Sequence, residues 1–407
     1  MTIPWNELFS ETANELKPSP TRELFKLANG TDIISLAGGL PCDECFPVAE
    51  IAAACQRVLE KYPSAALQYA NTQGEAIFLK MLSEQMKPLG VIVPPSQIQV
   101  VNGSAQGLEM LCRLLIDPGD RIAVEDPTYS GALMAFRPYR PRFITIPTDE
   151  DGIRVDVLEE KLKAGEDIRF LYLISCFQNP MGTTLSPPRR KALLELAARY
   201  GLIIVEDDPY GELVYEGDRP KPLAALDIEM HGELKHVFYV STFSKTIAPG
   251  LRVAWIASPK EAINKLILAK QSTDLHSSPF TQYLVYETCQ NDFLTGQIKR
   301  IRQINRVRRD AMLEALDEFM PESANWTKPN GGMFVWVTLL ESMDDYDILK
   351  RAIEKRVTFV PGSSYYAYGN VHNALRLSFT QPTPEQIVEA VRRLGTAIKE
   401  ATPARHF

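Results

Sequence analysis

No apolar run in the sequence approaches the ~18 residues a membrane-crossing helix needs, and Met1-Thr-Ile-Pro-Trp-Asn-Glu lacks the basic and apolar regions of a signal peptide. A cytoplasmic protein is the expectation. Cysteine is scarce, six in 407 residues, too few and too scattered for a disulfide framework and in keeping with a reducing compartment. Cys42-Asp-Glu-Cys45 has the spacing of half a zinc site or a redox pair, yet no second pair accompanies it, so two ordinary thiols are expected. His231, His236, His276, His372 and His406 form no metal-binding pattern, and no metal site is expected. Basic residues are not in excess: 44 Lys+Arg stand against 51 Asp+Glu, a net charge of -7. That removes the electrostatic case for nucleic acid or an anionic membrane and favours small-molecule chemistry. Neither a Gly-x-x-x-x-Gly-Lys-Ser/Thr phosphate loop nor a Gly-x-Ser-x-Gly elbow is present.

What the chain does have is 45% hydrophobic residues over a length that suggests about two or three domains. Between about 48 and 290, helical periodicity alternates with short apolar runs, the pattern of an α/β domain. An amphipathic segment, 1–47, precedes it and is expected to pack with a smaller α+β domain over 291–407. In that last part a long helix carries Lys299, Arg300, Arg302, Arg306, Arg308 and Arg309, read as a largely solvated face.

The apolar runs end in polar residues, and the C-terminal ends of strands are where open α/β sheets bind ligands. Ile98-Gln-Val-Val101 leads to Asn102-Gly-Ser-Ala-Gln-Gly107, a helix start whose free N–H groups and Ser104 hydroxyl suit a phosphate. Further runs end at Tyr129, at Asn179-Pro-Met-Gly182 and at Asp207-Asp-Pro-Tyr210. Val237-Phe-Tyr-Val240 delivers Ser241-Thr-Phe-Ser-Lys245, followed by Pro249-Gly-Leu-Arg252. Taken singly, each has an ordinary reading. Lys245 is a surface lysine, Asp207 a helix cap, Asn179 a turn residue, Tyr129 packing and Arg376 one half of a cross-strand salt bridge.

Together, in this order, they match one family. The chain resembles the class I/II aminotransferases, fold type I pyridoxal-phosphate enzymes, and is most similar to the branch holding 2-aminoadipate and kynurenine aminotransferases. The resemblance runs from Leu36-Ala-Gly-Gly-Leu-Pro41 to Leu375-Arg-Leu377. It implies an α/β fold with a large, mainly parallel sheet of the seven-stranded type between helices, plus the smaller α+β domain. It also implies pyridoxal 5'-phosphate as cofactor, held by Lys245 as a Schiff base, with Thr242, Ser244, Arg252, Ser104, Ala105 and Gln106 about its phosphate. Asp207 would face the ring nitrogen, Asn179 and Tyr210 the ring oxygen, and Tyr129 the ring face. Lys245 would then move the substrate proton, which requires its ordinary pKa of ~10.4 to fall toward ~7 to 8. Arg376 would clamp the substrate carboxylate with its planar fork, Gly39 would meet the substrate through backbone, and Arg22 aligns with a segment that in some relatives meets the substrate side chain. Tyr69 would reach the phosphate of a neighbouring subunit, so a homodimer with shared active sites is implied. Thr242 and Ala105 depart from the serine and the larger polar residue common among relatives, so contact at 105 should be through backbone.

The implied function is transfer of the α-amino group of an L-amino acid to a 2-oxo acid, with 2-oxoglutarate the expected acceptor, by a ping-pong route. Rivals are β-elimination, racemisation or decarboxylation on the same scaffold. A non-catalytic regulator is a further rival, but the 35 residues before Leu36 are too few for a winged-helix domain.

Overall fold

A computed structural model describes residues 3–16, 18 and 32–401; Arg22 lies outside them. The strands, in chain order, are β1 (Ile34–Ser35), β2 (Ile98–Val101), β3 (Arg121–Asp126), β4 (Arg142–Asp149), β5 (Gly152–Ile153), β6 (Ile168–Ile174) and β7 (Ile203–Asp207). They continue as β8 (Val237–Thr242), β9 (Ala254–Ala257), β10 (Asn325–Trp326), β11 (Phe334–Thr338), β12 (Val357–Thr358), β13 (Val360–Pro361) and β14 (Ala374–Ser378).

An eight-stranded sheet runs in the order β2-β9-β8-β7-β6-β3-β4-β5. The five strands from β8 to β4 are mutually parallel, while β9 runs against both of its neighbours. Helices cover both faces of a parallel sheet, so its strands are apolar on both sides. β8 is buried at every position and β6 at all but one. The eighth strand, one more than the seven-stranded type that the resemblance implies, is the two-residue β5, which turns back antiparallel on β4. Because β2 opposes β9 and β9 opposes β8, β2 shares the direction of the parallel set. The C-terminal ends of β2, β3, β6, β7 and β8 therefore lie along one edge.

A second, antiparallel sheet has the order β10-β11-β14-β13. The stretch 357–361 divides between two sheets: β12 pairs with β1 of the N-terminal segment, and β13 pairs with β14. Pro361 has no N–H to give and sits in an edge strand, where that lack costs least. The helices Phe293–Phe319 and Pro384–Ala401 pack against each other, and the second also against β1 and β12. At their contact a Cβ on Gly395 would lie 2.4 Å from the Phe319 carbonyl oxygen, so the close approach requires glycine.

Two expectations need correction. Arg308 and Arg309 are buried rather than solvated. Helical periodicity places them on the face of Ile301, Asn305 and Met312, where Arg308 pairs with Glu44 at 2.8 Å and Arg309 donates to the Pro329 carbonyl at 2.8 Å. Second, Cys42 and Cys45 form a disulfide with Cα atoms 5.2 Å apart, where thiols were expected. The 3-10 turn Asp43–Cys45 brings the two side chains together.

Candidate active site

At the sheet edge where those strand ends converge lies a cavity of about 650 Å³. It brings together Gly39, Ser104, Ala105, Tyr129, Asn179, Asp207, Tyr210, Thr242, Ser244, Lys245, Arg252 and Arg376, residues spread over more than 330 positions of sequence.

One end is built for an anion. Gly103, with φ +84 and ψ 155, turns the chain from β2 into the helix Ser104–Leu115, leaving that helix's first N–H groups facing the cavity end. The Ser104 hydroxyl is buried and has no hydrogen-bond partner among the described residues. Arg252 lies across the turn and donates to the Asn102 carbonyl at 3.3 Å. The fit is tight enough that a Cβ on Gly103 would stand 2.0 Å from Arg252 Nη2. On the opposite wall Ser244 Oγ is 2.9 Å from Thr242 Oγ1, and the Thr242 hydroxyl donates to the Val253 carbonyl at 3.0 Å. With its proton committed to Val253, Thr242 can only accept from the Ser244 hydroxyl, so Thr242 shapes the loop and holds Ser244, while Ser104 keeps its hydroxyl to offer.

Gln106 does not join this group. Its Oε1 accepts from the Asn102 N–H at 2.8 Å and from Lys270 Nζ at 2.9 Å, and its Nε2 donates to Asp274 at 2.7 Å. A glutamine two residues into a helix has its side chain on the far side from residue 104, and the buried Lys270 with the half-buried Asp274 captures it. Lys270 and Asp274 thus brace the turn from below, a role sequence reasoning missed, although their i,i+4 spacing was visible.

The floor is Asp207, at the end of β7. Tyr172 donates to its Oδ2 at 3.0 Å, and its Oδ1 is buried with no partner among the described residues. Burial pushes this carboxyl up to about 7, with the Tyr172 hydrogen bond opposing that rise and the nearby Asp208 charge adding to it. Tyr210 is buried, and loss of solvent holds its phenol far above its ordinary value. Tyr129 lies against the backbone that follows it, where a Cβ on Gly131 would meet the ring at 2.3 Å.

Lys245 is carried on the 3-10 turn Phe243–Lys245 at the end of β8 and donates to the Gly39 carbonyl at 2.9 Å. Burial lowers its pKa to about 8, helped by the Arg376 and Arg252 charges. Arg376, on β14, reaches across from the second sheet. Its Nη1 donates to Asn179 Oδ1 at 3.0 Å, its Nη2 to the Ala37 carbonyl, and its guanidinium lies 4.2 Å from the Phe334 ring centroid. Among the described residues no carboxylate pairs with it, so the cross-strand salt bridge is not what Arg376 makes. Gly39 packs on that same ring: a Cβ there would stand 3.0 Å from Phe334 Cζ.

Tyr69 is outside this cavity, 79% exposed, and meets His276 edge-on at 5.7 Å. Asp344, Asp345 and His372 gather within 4.8 Å of one another. Asp344 caps the helix Asp345–Glu354 and Asp345 accepts the Ser363 N–H at 2.7 Å, so helix-start geometry accounts for the grouping.

The arrangement fits pyridoxal 5'-phosphate on its own terms: an anion cup at one end, an unpartnered buried carboxylate oxygen for a protonated ring nitrogen at the floor, and a lysine of lowered basicity between. The class so defined is an enzyme that works through that cofactor. Comparison with known proteins gives the family. The sequence model described as "Aminotransferase class I and II" matches residues 31–394. The chain is 46% identical over 404 residues to "Aromatic-amino-acid aminotransferase 1" of Thermococcus litoralis, covering 98% of this chain and 96% of that one. It is 41% identical over 397 residues to the "2-aminoadipate transaminase" of Thermus thermophilus, covering 98% of each. The crystal structure of Pyrococcus horikoshii kynurenine aminotransferase, solved with PMP, matches with a TM-score of 0.94 and 44% identity, over 98% of this chain and 99% of that one. The chain belongs to the class I and II aminotransferases; it is a pyridoxal-phosphate-dependent transaminase acting on amino acids.

Proposed function

We propose that Lys245, Asp207 and Tyr210 are the catalytic residues, that Ser104, Ala105, Tyr129, Asn179, Ser244 and Arg252 hold the cofactor with Thr242 shaping the loop, and that Arg376 binds the substrate α-carboxylate. The observation that carries this reading is the pairing of a buried, unpartnered Asp207 oxygen with a lysine of lowered pKa in one cavity. When bound, pyridoxal phosphate supplies the carbonyl that receives the amino group and the electron sink that lets the Cα proton leave. Lys245 Nζ takes that proton and returns it. A base near pKa 8 is partly free at neutral pH, whereas an ordinary lysine is not. Arg376 has two N–H edges already fixed by Asn179 and Ala37, and this preorganisation orients the incoming carboxylate.

The amino donor in this reading is an L-amino acid with a large apolar or aromatic side chain, because Leu40 and Phe334 line the cavity together with Arg376. The acceptor is 2-oxoglutarate, and the route is ping-pong. The division of labour follows the chain: 48–290 holds the cofactor, 291–407 brings Arg376, and the stretch at Ala37 and Gly39 meets both through Arg376 and Lys245. Among the described residues no helix is long and apolar enough to cross a membrane, and the cytoplasm is the proposed compartment. The test is a half-reaction with the purified holoenzyme, no acceptor and single L-amino acids. Responding donors should abolish the visible cofactor band with one equivalent of 2-oxo acid released per site. Ammonia or carbon dioxide as the main product would reject the assignment.

The exposed Tyr69, beside Leu67 at 71% and Leu275 at 46% exposure, supports a homodimer in which Tyr69 serves the other subunit's cofactor phosphate. Mixing Lys245→Ala with Tyr69→Phe subunits after reversible dissociation tests this. Shared sites restore about a quarter of wild-type activity from random pairing, whereas sites within one chain give only the average of the parents.

A further inference from the structure

Asp207 is held by a residue of the core, Tyr172. β6 and β7 are parallel, with Ile174 opposite Asp207 and Tyr172 opposite Val205. Side chains on a strand alternate, so Tyr172 shares the face of Ile174, which lines the cavity. Its ring is fully buried and stands edge-on to Phe136 at 5.3 Å. A core tyrosine so placed must find a partner for its hydroxyl, and the partner is Asp207 Oδ2 at 3.0 Å. The other oxygen, Oδ1, is buried and has none.

We propose that Tyr172 is a positioning residue for the cofactor's ring nitrogen: its hydroxyl fixes one oxygen of Asp207, turns the other toward the cavity and keeps the carboxylate ionised. This rests on the reading of Asp207 given above. A carboxylate with one oxygen tied cannot rotate away from the cavity, and a neutral phenol can only donate to it, which stabilises the charged form. The surroundings push the other way. Glu125 of β3 faces the same space, accepts the Ile174 N–H at 3.0 Å and is itself raised to about 8 by burial. Asp208, next in the chain, is paired with Arg219 and accepts from Tyr239 at 2.8 Å. The phenols of Tyr129 and Tyr210 are near, and neither gives Asp207 a positive charge. Take the Tyr172 hydroxyl away and Asp207 is left in a buried, acid-rich corner where its neutral form gains. A neutral carboxyl does not hold a pyridinium.

The experiment compares Tyr172→Phe, Asp207→Asn and Phe136→Leu with wild type, each checked for an unchanged melting profile. Two quantities are read: the dissociation constant of pyridoxal phosphate from the apoenzyme, and the acid limb of the kcat/KM profile. Losing a hydrogen bond to a charged group is worth about tenfold or somewhat more. Tyr172→Phe should therefore weaken cofactor binding about tenfold and move the acid limb up by about one pH unit. Phe136→Leu, which loosens the same ring and keeps the hydroxyl, should move neither. The inference is overturned if Tyr172→Phe matches wild type while Asp207→Asn loses cofactor, if affinity falls without a shift of the limb, or if Phe136→Leu gives the same shift. If Asp207→Asn itself behaves as wild type, the assignment of Asp207 fails and this inference with it. Should Tyr172→Phe not fold, Phe136→Leu still decides: a shifted limb with the hydroxyl intact refutes the role.

Discussion

Gly103→Ala should cost this protein its cofactor without unfolding it. The residue has φ +84 and ψ 155, a backbone region essentially confined to glycine, and holding alanine there costs roughly 1–3 kcal/mol. The new methyl would also stand 2.0 Å from Arg252 Nη2, so the guanidinium must leave the turn. In the apoenzyme the loop can relax and avoid both penalties, but binding the phosphate requires the cup to reform. At the low end of each term, about 1 kcal/mol of strain and about 1.5 kcal/mol for one lost charge-assisted hydrogen bond sum to about 2.5 kcal/mol. That is a rise of about 70-fold in the dissociation constant of pyridoxal phosphate. Titration of the apoenzyme, followed by the visible band of the bound cofactor, measures it. Gly119 provides the comparison, since it also has a positive φ, +93, but nothing lies within 4 Å of its would-be Cβ. Gly119→Ala should lower thermal stability by an amount of order 1 kcal/mol and leave cofactor affinity alone. A Gly103→Ala enzyme within about threefold of wild-type affinity, or a Gly119→Ala enzyme equally impaired, would refute the reasoning.

Arg376→Lys should lower kcat/KM by about ten- to a hundredfold, chiefly through KM, because an ammonium cannot keep the contacts to Asn179 and Ala37 and still present a fork; unchanged kinetics across several donors would make Arg376 structural. In the apoenzyme Lys245 has a pKa lowered to about 8, so the folded state binds fewer protons than the unfolded one between that value and the ordinary ~10.4. Folding stability from this group therefore rises with pH through that window, and its burial penalty is present in full below it. Lys245→Met apoenzyme should melt higher than wild-type apoenzyme at pH 7, with the gap closing toward pH 10; a gap independent of pH would place the effect elsewhere. Asp274→Ala, which removes the brace under Asn102 and Gln106, should weaken cofactor affinity and leave the pH profile of kcat unmoved, in contrast to Tyr172→Phe.

How far the site could be read in advance depended on how local its causes were. Lys245, Asp207, Asn179 and Ser104 follow apolar β runs directly, so the strand-end rule located them, and their order along the chain supplied the family. Arg376 needed the family, because nothing near β14 says that its side chain leaves its own sheet; only the fold, which also ties β14 to the N-terminal segment through the Ser378 N–H and the Leu36 carbonyl, brings it to Asn179. The direction of the Gln106 side chain was hidden for a similar reason. Sequence put it beside a phosphate loop, and the decision about which way its amide turns was made by Lys270 and Asp274, more than 160 residues later. Arg308 and Arg309 show the same limit on a helix, where charge suggested solvent but the phase of the 3.6-residue repeat set the burial. Tyr172 is the sharpest case. In a parallel strand buried on both faces, a tyrosine and a leucine satisfy the same hydrophobic pattern, and only the position of one hydroxyl, 3.0 Å from Asp207, separates a core residue from one that governs the charge beneath the cofactor.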